Sequence, residues 1–405
     1  MTGMVKRPRI AVISPFIDKR HGTERCLAEQ VEWLAQKYEI HLYSSRVEDI
    51  DLSRVVWHRI PELPGPHLLV FCWWFFANHW IRWWHRKFRG LRYDLTYSTG
   101  TNCVDADVIS VHVLFYEFYG QVKESLAFRH NPFLSWYLLI HRRLYYNLII
   151  RLEKFIYPDR KVRIAAISRR SASSMACFGR SDIAVIHYGV DAKRFNPRNR
   201  EQTGAERREA LGISRDALCL LLIGNGWKNK GLEVLLEALG AVDSRNLRLL
   251  IVGKDDPRPY RQALERMGLE QCVSFLPPRP DVEFYYAAAD IYVSPSLEDA
   301  FGLPPLEAMA CGLPVIVSSR AGVSELVTDG VDGLVLADPR DAGALAGMIS
   351  RLRSDPAFRR TLGENAANTA RRHTWEQNAR QLDDLFMQSF VQRGRTSPSM
   401  VFQEQ

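Results

Sequence analysis

Residues 295–315 read PSLEDAFGLPPLEAMACGLPV, and this stretch carries most of what the sequence predicts. A short apolar run at 291–294 precedes it and predicts a buried strand. The strand leads into a loop that holds Asp299 and Gly302, and a glycine lets a ligand approach the backbone closely. Glu307 opens the next helix, where a negative charge interacts favourably with the helix dipole. One carboxylate at a helix start is usually a cap, but two carboxylates eight residues apart around a Phe-Gly turn indicate a ligand site.

The same order of strand, loop and helix recurs on both sides of this stretch. Because a strand-helix-strand unit returns the chain parallel to its starting strand, the alternation predicts parallel sheets. We therefore expect an α/β fold with two Rossmann-like, doubly wound parallel-sheet domains that face each other across a cleft. The predicted strands are 9–15, 40–43, 94–98, 108–113, 164–168 and 183–187 in the first domain, and 218–224, 247–253, 273–276, 291–294, 314–318 and 334–336 in the second.

The chain changes character near residue 190. Residues 1–190 hold 27 basic and 17 acidic residues and 30 of the 44 aromatic residues, whereas residues 191–405 hold 27 basic and 29 acidic residues. The polar stretch 194–212 reads as a linker that leads into a short helix. The expected organisation is a first domain at 1–190, a second domain at 191–375, a helix at about 376–392 that packs back on the first domain, and a disordered tail at 393–405.

Residues 68–92 combine aromatic and basic side chains. The apolar run at 68–77 is too short to cross a membrane, since a spanning helix needs about 20 residues. Tryptophans then alternate with cations, a mixture that suits the lipid headgroup layer. An amphipathic core helix with a solvated basic face explains the pattern equally well, and core packing is favoured for a second such stretch at 128–157. We expect residues 68–92 to contact an anionic membrane surface.

Seven scattered cysteines without a CxxC pair favour reduced thiols. The N-terminus runs directly into a strand without an apolar signal region, so we expect a cytoplasmic protein, peripheral on the inner face of the cytoplasmic membrane. No nucleic-acid module is visible, and the missing GxGxxG motif argues against a dinucleotide cofactor.

Two other segments place glycine at a helix start. HGTE at 21–24 brings Gly22 to the first helix, and IGNGWKNKG at 223–231 brings two lysines to a strand end, where a diphosphate needs cations. Each has a simpler explanation, because many strand-helix turns contain glycine for conformational reasons and a solvated loop contains lysine.

These segments together resemble the retaining glycosyltransferases of family 4, which have the GT-B fold. PSLEDAFGLPPLEAMACGLPVI is similar to the donor-site motif of that family. The resemblance extends over most of the chain, and IGNGWKNKG most resembles the lipopolysaccharide core glucosyltransferases and similar cell-envelope enzymes. The other matching segments are, in order, HGTE, VISVH, AISRRS, HYGVDAKRFNP and SRAGVSELVTDGVDGLVL.

The resemblance implies a role for each matching residue. His112 would lie at the reaction centre, Asp299 beside the transferred sugar, Lys230 at the diphosphate, and Glu307 at the ribose hydroxyls. The catalytic residues expected are therefore His112, Lys230 and Asp299. The other expected donor-binding positions are Gly22, Asn225, Lys228, Arg279 and the main chain of Phe301, Gly302 and Leu303.

The reaction that the resemblance implies is sugar transfer with retention of configuration. The co-substrate would be a nucleoside diphosphate sugar, with UDP favoured over GDP, and neither a cofactor nor a metal is expected. The acceptor would be a glycan or a lipid-linked molecule of cell-envelope polysaccharide, lipopolysaccharide or glycolipid synthesis. Asp299 would be either a nucleophile or a sugar ligand. Asp105 and Asp107 form a DxD pattern, but they precede His112 in the first domain and are interpreted as structural.

Five residues, at four places in the chain, depart from the family pattern. Asp299 stands where glutamate is usual, and Asn229 stands where an arginine is usual. His21 replaces a glycine, and His187-Tyr188 replaces Pro-Asn. These departures leave an alternative open, a catalytically weak or inactive glycosyltransferase-like scaffold at the membrane surface.

Overall fold

The chain divides into two compact units. The first unit comprises Met1–His187 and Trp375–Gln405, and the second comprises Tyr188–Thr374. The boundary in the structure falls after His187. The boundary predicted from the sequence was residue 190. His21 and the predicted tail at 393–405 lie outside the described residues. The structure is a computed structural model that describes residues 7–20, 22–122, 136–243 and 245–392.

The first unit is built around a parallel sheet of seven strands. Its central strands are buried along almost their whole length, as expected of a parallel sheet that is covered on both faces. In chain order its elements are β1 (Arg9–Ile13), β2 (Phe16–Ile17), α1 (Gly22–Leu34), β3 (Glu39–Ser44), β4 (Arg46–Val47), β5 (Val55–Arg59), α2 (His67–Phe88), β6 (Leu95–Thr99), β7 (Val108–Val111), α3 (Phe115–Val122), α4 (Trp136–Ile156), β8 (Arg163–Ala166), α5 (Arg169–Ser174), β9 (Ala184–Val185) and α13 (Trp375–Gln392).

The strand order of this sheet is β5-β3-β1-β6-β7-β8-β9, and β2 pairs separately with β4. Strand β5 was not predicted, because it is an edge strand that exposes Val56 and carries polar His58 and Arg59. Helix α13 packs against α1 and contributes Leu382 and Phe386 to the core of the first unit.

The second unit contains a parallel sheet of six strands. Its strands are leucine-, isoleucine- and valine-rich, and they form one core with the helices that follow them. In chain order its elements are α6 (Pro197–Ala210), β10 (Leu218–Ile223), α7 (Leu232–Gly240), β11 (Leu247–Val252), α8 (Arg258–Met267), β12 (Val273–Leu276), α9 (Glu283–Ala288), β13 (Ile291–Ser294), α10 (Leu303–Ala310), β14 (Val315–Ser318), β15 (Leu334–Leu336), α11 (Ala342–Ser354) and α12 (Pro356–Ala370).

The strand order of the second sheet is β12-β11-β10-β13-β14-β15. Strand β10 therefore lies between β11 and β13, with Leu220 paired to Ile291. Because the strands are parallel, the loops that follow β10 and β13 leave the same edge of the sheet side by side.

The polar stretch 194–212, which the sequence predicted as a linker leading into a short helix, is helical over most of its length. Helix α6 begins at Pro197, and the side chain of Asn196 caps it by accepting the N–H of Asn199 at 3.0 Å. A β-carbon on Gly204 would lie 2.9 Å from the carbonyl oxygen of Ala287 on α9, so α6 packs closely there. The helix is polar elsewhere because little of its surface is buried.

None of the helices in the described ranges is long and apolar enough to cross a membrane. This includes α2, whose apolar start is followed by basic residues.

Gly231 joins the loops that follow β10 and β13. It has a φ of 76°, and a β-carbon there would lie 2.0 Å from the backbone oxygen of Pro295. Gly226, in the same loop, has a φ of 71° but has no atom within 4 Å of the β-carbon position. The two glycines thus share a backbone conformation and differ only in their contacts.

We expect Gly231→Ala to destabilise the protein more than Gly226→Ala does. Both substitutions put a side chain in the left-handed region, at a cost of about 1–2 kcal/mol, and Gly231→Ala also forces the loops apart, at a cost of about 1–3 kcal/mol more. Chemical denaturation of both variants measures the difference in the free energy of unfolding. Equal losses of unfolding free energy in the two variants would show that the close approach of Gly231 to Pro295 does not contribute to stability.

Candidate functional site

Two side chains from sequence-distant loops meet at the carboxyl edge of the second sheet. Lys230 follows β10 and Asp299 follows β13, and the Lys230 Nζ lies 2.5 Å from the Asp299 Oδ2. Both side chains are more than four-fifths buried. The structure therefore brings together the two residues that the sequence predicted for the diphosphate and the transferred sugar.

The carboxylate of Asp299 lies at the start of α10. Its Oδ1 accepts the N–H of Phe301 at 3.3 Å. Gly302 has a φ of 93°, and a β-carbon there would lie 3.3 Å from Oδ2 of Asp299. A glycine at this position therefore leaves space for the carboxylate. An anion is favoured there because the N-terminus of a helix carries partial positive charge. Leu303 begins α10, and Phe301 is buried against Tyr188.

Hydrogen bonds to Asp255 fix the loop that follows β10. The carboxylate of Asp255 accepts the N–H groups of Gly226 at 3.0 Å and Trp227 at 2.7 Å. Asn225, predicted to bind the donor, accepts the N–H of Lys254 at 2.9 Å and so also stabilises the loop. With these two amides engaged inside the protein, the loop after β10 offers an anion its lysine side chains.

Asn229 takes a structural role in place of the usual arginine. Its side-chain amide donates to the carbonyl of Glu298 at 2.7 Å, and its own carbonyl accepts the N–H of Leu297 at 2.8 Å. The residue therefore bonds the two loops to each other. Neighbouring Lys228 is exposed to solvent.

Glu307 is buried within α10, and Tyr286 on α9 donates its hydroxyl to Oε2 at 2.8 Å. Burial and the adjacent carboxylate raise the pKa of Tyr286 well above its ordinary value, so the hydroxyl remains a donor. Sequence reasoning missed Tyr286, because nothing in the pair Tyr285-Tyr286 shows which ring faces Glu307.

Arg279 lies after β12 and makes contacts apart from the Lys230–Asp299 pair. Its guanidinium donates to both carboxylate oxygens of Asp281, at 2.9 and 3.0 Å, and lies 4.2 Å from the ring centroid of Phe284. The predicted donor-binding role of Arg279 stays a prediction.

The first unit contains the other predicted residues, Gly22 and His112. Gly22 begins α1, and His112 follows β7 and is buried. Burial lowers the pKa of His112 to about 4, so the imidazole is neutral near pH 7. Its Nε2 lies 3.0 Å from the hydroxyl of Ser110, which begins a buried chain of hydrogen bonds that the sequence did not indicate. We call this chain the His112 network, and its members are His112, Ser110, Tyr97, Gln30, Asn378 and the carbonyl of His187.

The two carboxylates of the DxD pattern form hydrogen bonds with other residues of the first unit. Asp105 forms two bonds of 2.7 Å with the buried guanidinium of Arg82 on α2, and Asp107 accepts the N–H of Thr96 at 2.8 Å. Both carboxylates therefore have hydrogen-bond partners within the first unit. No cluster of His, Cys, Asp and Glu suited to a metal ion occurs among the described residues.

Glu153 on α4 is a second residue that the sequence did not single out. Its two carboxylate oxygens accept the N–H groups of Phe115 and Tyr116 at 2.8 and 2.9 Å, at the start of α3. Burial raises the pKa of Glu153 to about 7 in spite of these bonds. The residue fixes the segment that directly follows His112.

Helix α2 has two opposite faces. Its inner face, at helical spacing, holds Trp74, Asn78, Arg82 and His85. The side chains on the other side are large, apolar and exposed, and we call them the α2 outer face: Leu69, Trp73, Phe76, Trp80, Trp83 and Phe88.

The family model described as "Glycosyl transferases group 1" matches residues 217–355. This range lies in the second unit and contains Lys230, Asp299 and Glu307. Over this range the second unit is similar to the group 1 glycosyltransferases. The resemblance to family 4 enzymes is thereby confirmed.

Known proteins resemble the chain over different lengths. The D-inositol 3-phosphate glycosyltransferase of Corynebacterium glutamicum is 36% identical over 215 residues, which are 50% of this chain and 51% of the relative. The chain thus matches about half the length of this curated relative.

Solved structures of this family match nearly the whole fold. WaaG, a glycosyltransferase involved in lipopolysaccharide biosynthesis, is 18% identical with a TM-score of 0.73, covering 94% of this chain and 99% of that one. Anabaena HepE in complex with UDP-glucose is 20% identical with a TM-score of 0.67, covering 93% and 99%. These similarities confirm the predicted GT-B fold of two Rossmann-like domains.

We expect Tyr286→Phe to destabilise the protein by about 1.5–3 kcal/mol, the range for a hydrogen bond to a charged group, since it leaves the Glu307 carboxylate without this donor. Tyr285→Phe is the matched control, because Tyr285 donates to the neutral carbonyl of Pro277 at 2.7 Å and should cost about 0.5–1.5 kcal/mol. Chemical denaturation compares the two. A smaller loss for Tyr286→Phe would contradict a charged Glu307 in this bond.

Proposed function

We propose that the protein is a retaining glycosyltransferase that moves a hexose from a nucleoside diphosphate sugar to a glycan or lipid-linked acceptor in cell-envelope synthesis. The second unit binds the donor and the first unit binds the acceptor. His112 is the proposed residue at the reaction centre, and Gly22 is a proposed contact of the donor.

The observation that carries this proposal is the position of the Lys230–Asp299 pair at the start of α10. A lysine side chain and a helix N-terminus that lie close together can both stabilise the negative charge of a diphosphate. This charge increases as the bond to the sugar breaks. In the donor complex, Lys230 exchanges its bond with Asp299 for one with the diphosphate. The main-chain N–H groups of Gly302 and Leu303 are placed to donate to the same anion.

The two other carboxylates have separate roles in the proposed site. Glu307 accepts the ribose hydroxyls, with its orientation held by Tyr286. Asp299, which loses its bond with Lys230 when the donor binds, acts either as a ligand of the transferred sugar or as its nucleophile.

UDP is the favoured nucleotide. The complex of Anabaena HepE with UDP-glucose supports this choice, as does the resemblance of the phosphate loop to lipopolysaccharide core glucosyltransferases. The donor contacts of the second unit do not need a metal in this proposal, since Lys230 and the helix supply the positive charge.

The α2 outer face supports a lipid-linked acceptor. Aromatic side chains at helical spacing are exposed there, and Arg86, Lys87 and Arg89 follow at the exposed end of the helix. The ammonium of Lys87 lies 5.1 Å from the Trp83 ring centroid. Such a face inserts aromatic rings among anionic headgroups while its cations pair with phosphate, so the protein would be peripheral on the cytoplasmic membrane.

The inactive scaffold is the alternative that the departures from the family pattern permit. Two of these departures are bonded in the structure, Asn229 to the carbonyl of Glu298 and Asp299 to Lys230. These contacts favour a donor site that binds its substrate over one that has lost binding.

We expect Lys230→Ala to weaken UDP binding by about 10–150-fold, which corresponds to the loss of a charge-assisted hydrogen bond. Lys228→Ala, a matched change at an exposed position, should weaken it by less than about threefold. Asp299→Asn should leave UDP affinity unchanged or raise it, because Lys230 no longer has a competing anion, while sugar transfer falls. Isothermal titration of each variant measures these affinities.

Equal effects of the two lysine substitutions would contradict the proposed site. Absence of binding by the wild-type protein to UDP, GDP and their sugars would favour the scaffold.

We expect the double variant Phe76→Ser, Trp80→Ser to reduce binding to anionic phospholipid vesicles by at least about tenfold, because two large apolar side chains no longer insert. Met267→Ser, an exposed apolar position in the second unit, is the control and should leave binding unchanged. Vesicle co-sedimentation measures both. Equal recovery of the wild type with and without vesicles would exclude the membrane contact.

A further inference from the structure

Three histidines from separate elements of the first unit lie in contact with one another. His41 is on β3, His58 is on the edge strand β5, and His85 is in the last turn of α2. The ring centroids of His41 and His58 lie 5.1 Å apart, and those of His58 and His85 lie 4.6 Å apart. Tyr43 and Tyr93 complete the group, and we call the five residues the histidine cluster.

A hydrogen bond between two imidazole rings limits the charge that this cluster can hold. The Nδ1 of His41 lies 2.8 Å from the Nε2 of His58, and the Nε2 of His41 lies 3.0 Å from the Oε1 of Glu39. Because a carboxylate accepts hydrogen bonds, a neutral His41 donates from Nε2 and accepts from His58 at Nδ1. If both rings were charged, each would point an N–H at the other. At most one of the two rings can therefore be charged in this geometry.

His85 connects α2 to this pair of rings. Its Nδ1 lies 2.8 Å from the hydroxyl of Tyr43 on β3, and this hydroxyl lies 2.6 Å from that of Tyr93. The ring of Tyr43 also stacks on His58, with 4.6 Å between the two centroids. The C-terminal end of α2 therefore packs on β3 and β5 through the rings of the histidine cluster.

Among the described residues, the charged groups that face the cluster are two arginines and a carboxylate that is already paired. Arg82 on α2 and Arg89 directly after it interact electrostatically with the cluster. Glu39 faces His41, but Arg9 on β1 also donates to both of its carboxylate oxygens at 3.0 Å. A further proton in the cluster is thus placed beside cations.

The pKa values of the rings agree with this geometry. Burial, followed by the effects of His85, His41 and Arg89, lowers the pKa of His58 to about 4. Burial, followed by Arg89 and His41, also lowers the pKa of His85. Since the histidine pKa of an unfolded chain is about 6.5, the folded protein binds fewer protons than the unfolded chain below that pH. The stability that His58 contributes is complete above about pH 6.5 and is lost as the pH falls towards about 4.

From the facing imidazoles we infer that the histidine cluster is an acid-sensitive contact between α2 and the edge of the sheet. In acid, a second proton forces the rings of His41 and His58 apart, and the end of α2 loosens. The preceding turn of the helix is held separately, by the two bonds of Arg82 with Asp105. The loosening should therefore centre on residues 83–89.

Hydrogen–deuterium exchange of the full-length protein at about pH 7.5 and about pH 5, corrected for the intrinsic chemical rate, measures this loosening. The two pKa values of His58 allow a loss of protection of up to roughly 25-fold between these conditions. Because His58 is only half-buried, solvent screening reduces this value. In the wild type we expect peptides that cover 83–89 to lose about tenfold in protection.

Two substitutions keep the hydrogen bond between the rings and remove its response to acid. In His58→Gln the side-chain amide takes the place of Nε2, and in His41→Asn it takes the place of Nδ1. An amide can donate or accept but does not become charged in this range. Each variant should therefore lose less than about threefold in protection at 83–89 over the same change of pH. Either variant suffices if the other does not fold.

His67→Gln is the matched control. His67 is an exposed residue at the start of α2, outside the cluster, so its substitution removes one histidine from the same helix. It should lose as much protection in acid as the wild type does. No loss in the wild type, an equal loss in all the variants, or a response abolished by His67→Gln would each overturn the inference.

These exchange measurements depend neither on sugar transfer nor on membrane contact. A consequence for the membrane rests on the proposed function, because a looser end of α2 frees Trp83 and Phe88 to insert into lipid. Between about pH 7.5 and about pH 5, binding to anionic vesicles should then rise at least about threefold more in the wild type and His67→Gln than in His58→Gln. If the wild type binds no vesicles at either pH, the membrane contact fails while the exchange result still decides the inference.

Discussion

The close contact between Gly231 and the carbonyl of Pro295 is the constraint on which the donor site depends. It exists because β10 and β13 are neighbours in a parallel sheet, so that their following loops leave the same edge. With no side chain at Gly231 the loops touch, Asn229 bonds one to the other, and Lys230 reaches Asp299. The glycine at 302 then leaves space for that carboxylate at the start of α10. Each feature of the site thus follows from strand order and from two positions without a β-carbon.

In the first unit, a hydrogen bond joins two points that are far apart in the sequence. The chain leaves this unit after His187 and returns at α13, and both points are bonded to each other through Asn378. The same bond begins the buried chain that ends at His112.

Local sequence predicted most of the fold, because the buried strands are short apolar runs between glycine-rich turns. The pairing of Lys230 with Asp299 was predictable only through the resemblance to a family, since their loops meet through a strand order that the chain order does not reveal. The bonds of Gln30 with Asn378 join residues 348 positions apart and have no sequence pattern. The length of helix α6 was underestimated, because most of the helix is polar and gives no apolar periodicity.

Hydrogen–deuterium exchange of the full-length protein with and without UDP tests the central claim most directly, because it reports where the nucleotide acts. We expect saturating UDP to slow exchange in peptides that cover 224–231 and 299–307, the two loops joined at the Lys230–Asp299 pair and the helix that follows. Slower exchange only in the first unit, or none in either unit at saturation, would contradict a donor site at this edge of the second sheet.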